Sequence, residues 1–120
     1  MAEVTLYHNP RCTKSRQALA LAEATGDSGP SVEVIRYLDE PLTADELRAV
    51  LAKLDDEPAS LVRKERWAEL GVTAADVATT DGIVAVLVAH PELMERPLLV
   101  TADRAFIGRP TERVAEFFGA

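Results

Sequence analysis

The apolar and polar positions of this 120-residue chain change period several times, and each change predicts an element. Residues 4–7 alternate closely enough to form a short strand. Asn9-Pro10 interrupts it, because proline holds its own φ and biases the preceding residue away from helix. Beyond Cys12 the period becomes helical, with Ala18, Leu19 and Ala22 sharing a face. Thr25-Gly26-Asp27-Ser28-Gly29-Pro30 is a dense turn signal, and residues 32–38 read as a second strand with Val32, Val34 and Arg36 on one face. Two strands joined by a helix predict a right-handed βαβ unit with parallel strands. Thr43 and Glu46 then have capping-box spacing. Leu47, Val50, Leu51 and Leu54 follow at i, i+3, i+4 and i+7, an amphipathic helix closed by Asp55-Asp56-Glu57-Pro58.

The second half begins with two short helical pieces, 60–63 and 65–70, the latter stopped by Gly71. Thr79-Thr80-Asp81 can cap another helix, but the run Ile83-Val-Ala-Val-Leu-Val-Ala fits a buried strand equally well, and Pro91 ends either. Residues 98–101 and 105–107, separated by Ala-Asp-Arg, predict a hairpin. Pro110 opens a last helix with Val114, Phe117 and Phe118 facing inward. There is no repeat, low-complexity tract or linker. The pattern therefore predicts one α/β domain over 1–120: a βαβ half, a helical insertion over approximately 42–92, and a ββα half.

Charge narrows the partners. A net charge of −7 disfavours nucleic acid and anionic membrane as general partners. No apolar run reaches the length of a membrane span, and Met1-Ala-Glu-Val lacks the basic start of a signal peptide. The single cysteine can form no internal disulfide. The expectation is a soluble, monomeric cytoplasmic protein. His8 lies near Cys12 but His90 is remote, so no zinc site and no bound cofactor is expected.

Against that acidic background, Cys12 sits where a strand turns into a helix, within four residues of Arg11, Lys14 and Arg16. The unpaired amides of a helix N-terminus favour an anion, and the three cations push the same way. A free thiol with a pKa near ~8.5 is about 3% thiolate at pH 7, whereas such surroundings bring cysteine pKa values into the ~3.5–7.5 range. A lone cysteine is more commonly a buried, inert one; the proline, the flanking charges and the strand-to-helix position argue for the reactive thiolate. Any oxidised or adducted Cys12 needs an external thiol to regenerate it, because the chain holds no second one.

Arg63, Arg96 and Arg109 are the candidates for holding an anionic substrate. Arg63 ends a short apolar helix, and Arg96 and Arg109 each precede a proline that starts an element. A guanidinium presents a planar fork suited to tetrahedral oxyanions and stays charged at any relevant pH. Arg48, Arg66 and Arg113 read as solvated-face residues. Spacing alone gives no reason to make the Arg96-Pro97 bond cis, a form found in only about 5–6% of such bonds.

These residues carry a resemblance that runs nearly end to end. Tyr7-His8-Asn9-Pro10-Arg11-Cys12-x-Lys14-Ser15-Arg16, Tyr37-Leu38-x-x-Pro41, Leu61-Val62-Arg63, His90-Pro91-x-Leu93-Met94-Glu95-Arg96-Pro97-Leu98-Leu99-Val100 and Ile107-Gly108-Arg109-Pro110 together resemble the glutaredoxin-dependent arsenate reductases. The resemblance implies a thioredoxin-like fold with a four-stranded mixed sheet, and a helix for the ambiguous 81–89 run. It implies that Cys12 attacks arsenate, that Arg63, Arg96 and Arg109 hold the oxyanion, and that glutathione and glutaredoxin complete the reduction to arsenite. It makes His8 a residue that lowers the cysteine pKa and Pro97 a cis-proline facing the sulfur. Ser15 either hydrogen-bonds the thiolate or steadies the first helical turn. Cys12-Thr13-Lys14-Ser15 departs from the Cys-Gly-Thr-Ser of the best-characterised members. The same fold includes the Spx regulators of RNA polymerase, which usually carry Cys-x-x-Cys; Ser15 removes that second sulfur. General thiol–disulfide exchange would leave three arginines around the sulfur without a purpose.

Overall fold

The computed structural model describes residues 2–119. Strands β1 (Val4–His8), β2 (Val32–Arg36), β3 (Leu98–Val100) and β4 (Ala105–Ile107) form one sheet in the order β2-β1-β3-β4. β1 runs parallel to β2 and antiparallel to β3, and β3 and β4 form the expected hairpin, so the sheet is mixed. Helix α1 (Thr13–Ala24) makes the crossover between β1 and β2. Helices α2 (Ala44–Lys53), α3 (Trp67–Leu70) and α4 (Thr80–Ala89) lie between β2 and β3, and α5 (Thr111–Phe117) follows the hairpin.

The sheet is buried on both faces, and the period-2 alternation of its strands divides the core in two. Val4 and Leu6 of β1, Leu99 of β3 and Phe106 of β4 point to the side where Ala18 of α1 and Val114 of α5 pack. Tyr7, Leu98, Ala105 and Ile107 point the other way, onto Leu47, Val50 and Leu51 of α2 and Ile83, Val84 and Leu87 of α4. Truncating one such leucine to alanine costs about 2–5 kcal/mol.

Several expectations are met at the level of single residues. Thr43 and Glu46 form the reciprocal capping box, with Glu46 N–H donating to Thr43 Oγ1 at 3.1 Å and Thr43 N–H donating to Glu46 Oε1 at 2.9 Å. Gly71 ends α3 in the left-handed region at φ +71°. The 81–89 run is helix: Thr79 caps it by accepting from Gly82 N–H at 3.1 Å. A Cβ on Gly82 would lie 2.1 Å from the Asp76 carbonyl oxygen, so glycine lets α4 start against the preceding 3-10 turn, Ala74–Val77.

Three expectations need correction. β2, expected over 32–38, ends at Arg36, and Val34 is 42% exposed because β2 is an edge strand. The helical piece at 60–63 is a 3-10 turn over Pro58–Leu61, and Arg63 lies in extended chain beyond it. Arg113 is not a solvated-face residue: its Nη1 donates to Asp56 Oδ1 at 2.8 Å, and its guanidinium lies 5.6 Å from the Phe106 ring centroid.

Two fastenings carry the helical segment to the sheet. Leu54 bridges Ala105, Asp55 N–H donates to Ala105 O at 2.8 Å, and Asp56 Oδ2 accepts from Ile107 N–H at 3.0 Å. Val62 bridges Met94, Arg63 N–H donates to Leu93 O at 2.7 Å, and Glu95 N–H donates to Leu61 O at 2.7 Å. The second fastening sets Arg63 beside the loop that carries Arg96.

Candidate functional site

Cys12 is the N-cap of α1, with extended backbone (φ −95°, ψ 123°). The turn before it is held by Asn9. Asn9 O accepts from Cys12 N–H at 3.0 Å, and Asn9 Oδ1 accepts from Arg11 N–H at 3.0 Å. The Asn9 N–H in turn donates to Ser15 Oγ at 2.9 Å. No acidic side chain occupies the first turn of α1, so nothing there cancels its positive end. Cys12 is 8% exposed, under a rim of exposed Pro10, Arg11, Thr13 and Lys14.

One guanidinium group hydrogen-bonds the sulfur, and a second, that of Arg96, acts on it electrostatically. Arg109 Nη2 lies 3.5 Å from Cys12 Sγ, while Arg109 Nε donates to Arg96 O at 2.7 Å and pairs with Glu95 Oε1 at 3.4 Å. Glu95 therefore aims Arg109 from behind. Burial pushes the Cys12 thiol up. The Ser15 N–H, the hydrogen bond and charge of Arg96, and the Lys14 N–H outweigh it, and the net direction is down from the ordinary value. That direction agrees with the sequence argument, and the amides of Ser15 and Lys14 together with the Arg96 guanidinium drive it. Arg96-Pro97 is cis, and so is Arg109-Pro110.

His8 and Ser15 behave differently from the expectation. His8 is 4% exposed, and its Nδ1 lies 2.7 Å from Ser15 Oγ. Burial first, and the Arg36 charge second, push the His8 pKa down, so the ring is neutral at pH 7. His8 Nδ1 and the Ser15 hydroxyl share that hydrogen bond, and the Ser15 oxygen also accepts from the Asn9 N–H at 2.9 Å. His8 brings no positive charge to the sulfur. Ser15 spends its side chain on His8 and Asn9 and serves Cys12 through its backbone amide.

Arg63 makes no hydrogen bond to the sulfur. Its Nε pairs with Glu65 at 3.6 Å, and its charge acts on the Tyr37 hydroxyl, as do those of Arg96 and Cys12. Arg63, Arg96 and Cys12 thus all act electrostatically on the Tyr37 hydroxyl. Asn9, Glu95 and Tyr37 are the residues that sequence reasoning left without a role. Each stood inside a quoted motif, but only the folded chain turns Asn9 and Glu95 into positioning groups. Among the described residues, no group of three His, Cys, Asp or Glu could hold a metal ion. No helix is long and apolar enough to cross a membrane.

Comparison with known proteins identifies relatives of the whole chain. The model of the ArsC family matches residues 7–117. An arsenate reductase of Neisseria meningitidis serogroup A is 36% identical over 117 residues, covering 95% of this chain and 97% of that protein. An arsenate reductase of Escherichia coli K12 is 38% identical over 118 residues, covering 97% and 81%. The solved structure of an arsenate reductase from Vibrio cholerae superposes with a TM-score of 0.78 at 36% identity, covering 96% of this chain and 97% of that one.

Proposed function

The chain belongs to the ArsC family, and from that premise we propose that it is an arsenate reductase with Cys12 as its nucleophile. The observation that carries the reading is the pair of guanidinium groups, Arg96 and Arg109, on a cysteine held at a helix N-terminus. In the first step the Cys12 thiolate forms an As–S bond and one As–O bond breaks, the oxygen leaving with protons as water. Arsenic stays pentavalent. Arg96 and Arg109 neutralise the oxyanion as it approaches the thiolate, which would otherwise repel it, and Arg63 closes the other side.

Reduction to arsenite needs two electrons, and the lone cysteine cannot supply both and return to a thiol. Two external thiols supply them and leave as a disulfide, so that arsenate and two thiols give arsenite, one disulfide and water. Glutathione with glutaredoxin is the reductant this reading assigns, and the chain binds no cofactor. Disulfide exchange without an oxyanion leaves Arg63, Arg96 and Arg109 without substrate charge to meet, which is why it ranks second.

The test is arsenate-dependent oxidation of NADPH in an assay coupled through glutathione, glutaredoxin and glutathione reductase. The wild type should turn over, Cys12→Ser should be inactive, and Arg96→Ala should lose most of its kcat/KM. Turnover that persists in Cys12→Ser would refute the assignment.

A further inference from the structure

Among the described residues three buried side-chain polar atoms have no partner, the Tyr37 hydroxyl, the Arg96 Nε and the Trp67 Nε1, and the first two belong to residues that interact electrostatically with Cys12. Tyr37 is 1% exposed, just past the end of β2. Its hydroxyl lies within the fields of Arg96, Arg63 and Cys12, and the Asn9 side chain is close without hydrogen-bond geometry. Leaving such a donor unmade is costly, and buried polar groups are nearly always paired. The void against the ring is about 10 Å³ and otherwise apolar, lined by Leu42, Leu47, Leu87, Pro91 and Met94, which does not suit a bridging water. Two orphaned donors on residues coupled electrostatically to Cys12 are suited to pairing with an anion there.

We propose that Tyr37 is a substrate-binding residue, its hydroxyl donating a hydrogen bond to the oxyanion beside the Nε–H of Arg96. This rests on the arsenate reading above. Burial pushes the Tyr37 pKa up, so the hydroxyl keeps its proton at neutral pH and acts as a donor. The guanidinium groups supply charge, while a neutral, rigidly packed donor supplies direction. Tyr37 makes no hydrogen bond that holds the fold. Its hydroxyl is therefore a cost in the unliganded protein that binding repays.

Tyr37→Phe removes only that oxygen. Arsenate kinetics in the coupled assay and thermal melts with and without arsenate distinguish the roles. Tyr7→Phe, which alters a buried tyrosine of β1 whose hydroxyl feels the charges of Glu46 and Glu33, serves as the control. Loss of one hydrogen bond to a charged group predicts a fall in kcat/KM of about 10–100-fold for Tyr37→Phe, and a smaller arsenate-induced rise in Tm. Its Tm without arsenate should equal or exceed that of the wild type, and Tyr7→Phe should keep wild-type kinetics. Wild-type kinetics in Tyr37→Phe, or a lowered arsenate-free Tm, would overturn the proposal while leaving the reductase reading standing. A wild type that neither reduces arsenate nor is stabilised by it would overturn both.

Discussion

Gly108 is where the two arginine loops meet, and adding one methyl group there tests whether the site depends on their close approach. Its N–H donates to Pro97 O at 2.8 Å. A Cβ at this position would lie 2.7 Å from Val114 Cγ2, 2.8 Å from Pro97 Cγ and 3.1 Å from Leu99 Cδ1. All three neighbours are buried, so none can swing into solvent. Overpacking of this kind costs about 1–3 kcal/mol. For a chain of this length that lowers Tm by roughly 4–12 °C. The strain is relieved by moving Pro97 away from Gly108, and those residues carry Arg96 and Arg109 as their neighbours. A displacement near 1 Å at a positioned group can cost about 100-fold in rate. Gly108→Ala should therefore lower both Tm and kcat/KM, read by thermal melting and the coupled arsenate assay. Val114→Ala frees space for the new methyl, so Gly108→Ala should cost at least about 0.5 kcal/mol less in that background. An unchanged Tm in Gly108→Ala, or equal costs in the two backgrounds, would refute the packing argument.

The remaining predictions concern charge. The lowered Cys12 pKa means that the midpoint of its alkylation by iodoacetamide, followed against pH, lies below that of a free thiol. Arg96→Gln should move it upward, because the guanidinium favours the charged form; a wild-type midpoint equal to that of free cysteine would exclude the thiolate. Asp56 joins Ile107 N–H to Arg113, so Asp56→Ala should lose about 1.5–3 kcal/mol in urea denaturation. Asp56→Asn keeps an oxygen for the Ile107 amide and should lose less; equal losses would place the whole effect in the Arg113 pair.

The parts of the fold that were legible in the sequence are those fixed by local periodicity and capping. Thr43 to Leu51 announces α2 because a capping box and an apolar stripe agree. The run at 83–89 did not declare itself, because its exposed positions Ala85, Val88 and Ala89 are as apolar as the buried Ile83, Val84 and Leu87, and periodicity carries no signal there. Arg113 was misjudged for a related reason: its partner Asp56 is 57 residues away, and no local pattern reports a pairing made by topology. In the site, the cysteine and its arginines were visible as charges beside turns and prolines. The Ser15–His8 bond was not, since a Cys-x-x-Ser spacing does not say which way the hydroxyl turns.

The distribution of cations explains how an acidic protein can attract an oxyanion. Across the molecule arginines are answered: Arg48 by Asp81, Arg66 by Glu69, Arg104 by Asp55 and Arg113 by Asp56. Around Cys12 Arg63 pairs with Glu65 and Arg109 with Glu95, but among the described residues Arg11, Lys14, Arg16, Arg36 and Arg96 have no carboxylate within ion-pair distance. Arg11 and Arg36 line a cleft of about 420 Å³ that one carboxylate, Asp39, shares. The distant surplus of carboxylates is screened over about 8 Å at physiological ionic strength, whereas the cations at the rim act within that distance. An arriving oxyanion therefore meets a locally positive surface before it senses the net charge of −7. The excess negative charge elsewhere disfavours non-specific binding of polyanions, which are too large to see the rim alone. Small size thus becomes part of the selection for substrate, set by where the carboxylates are absent as much as by where the arginines are present.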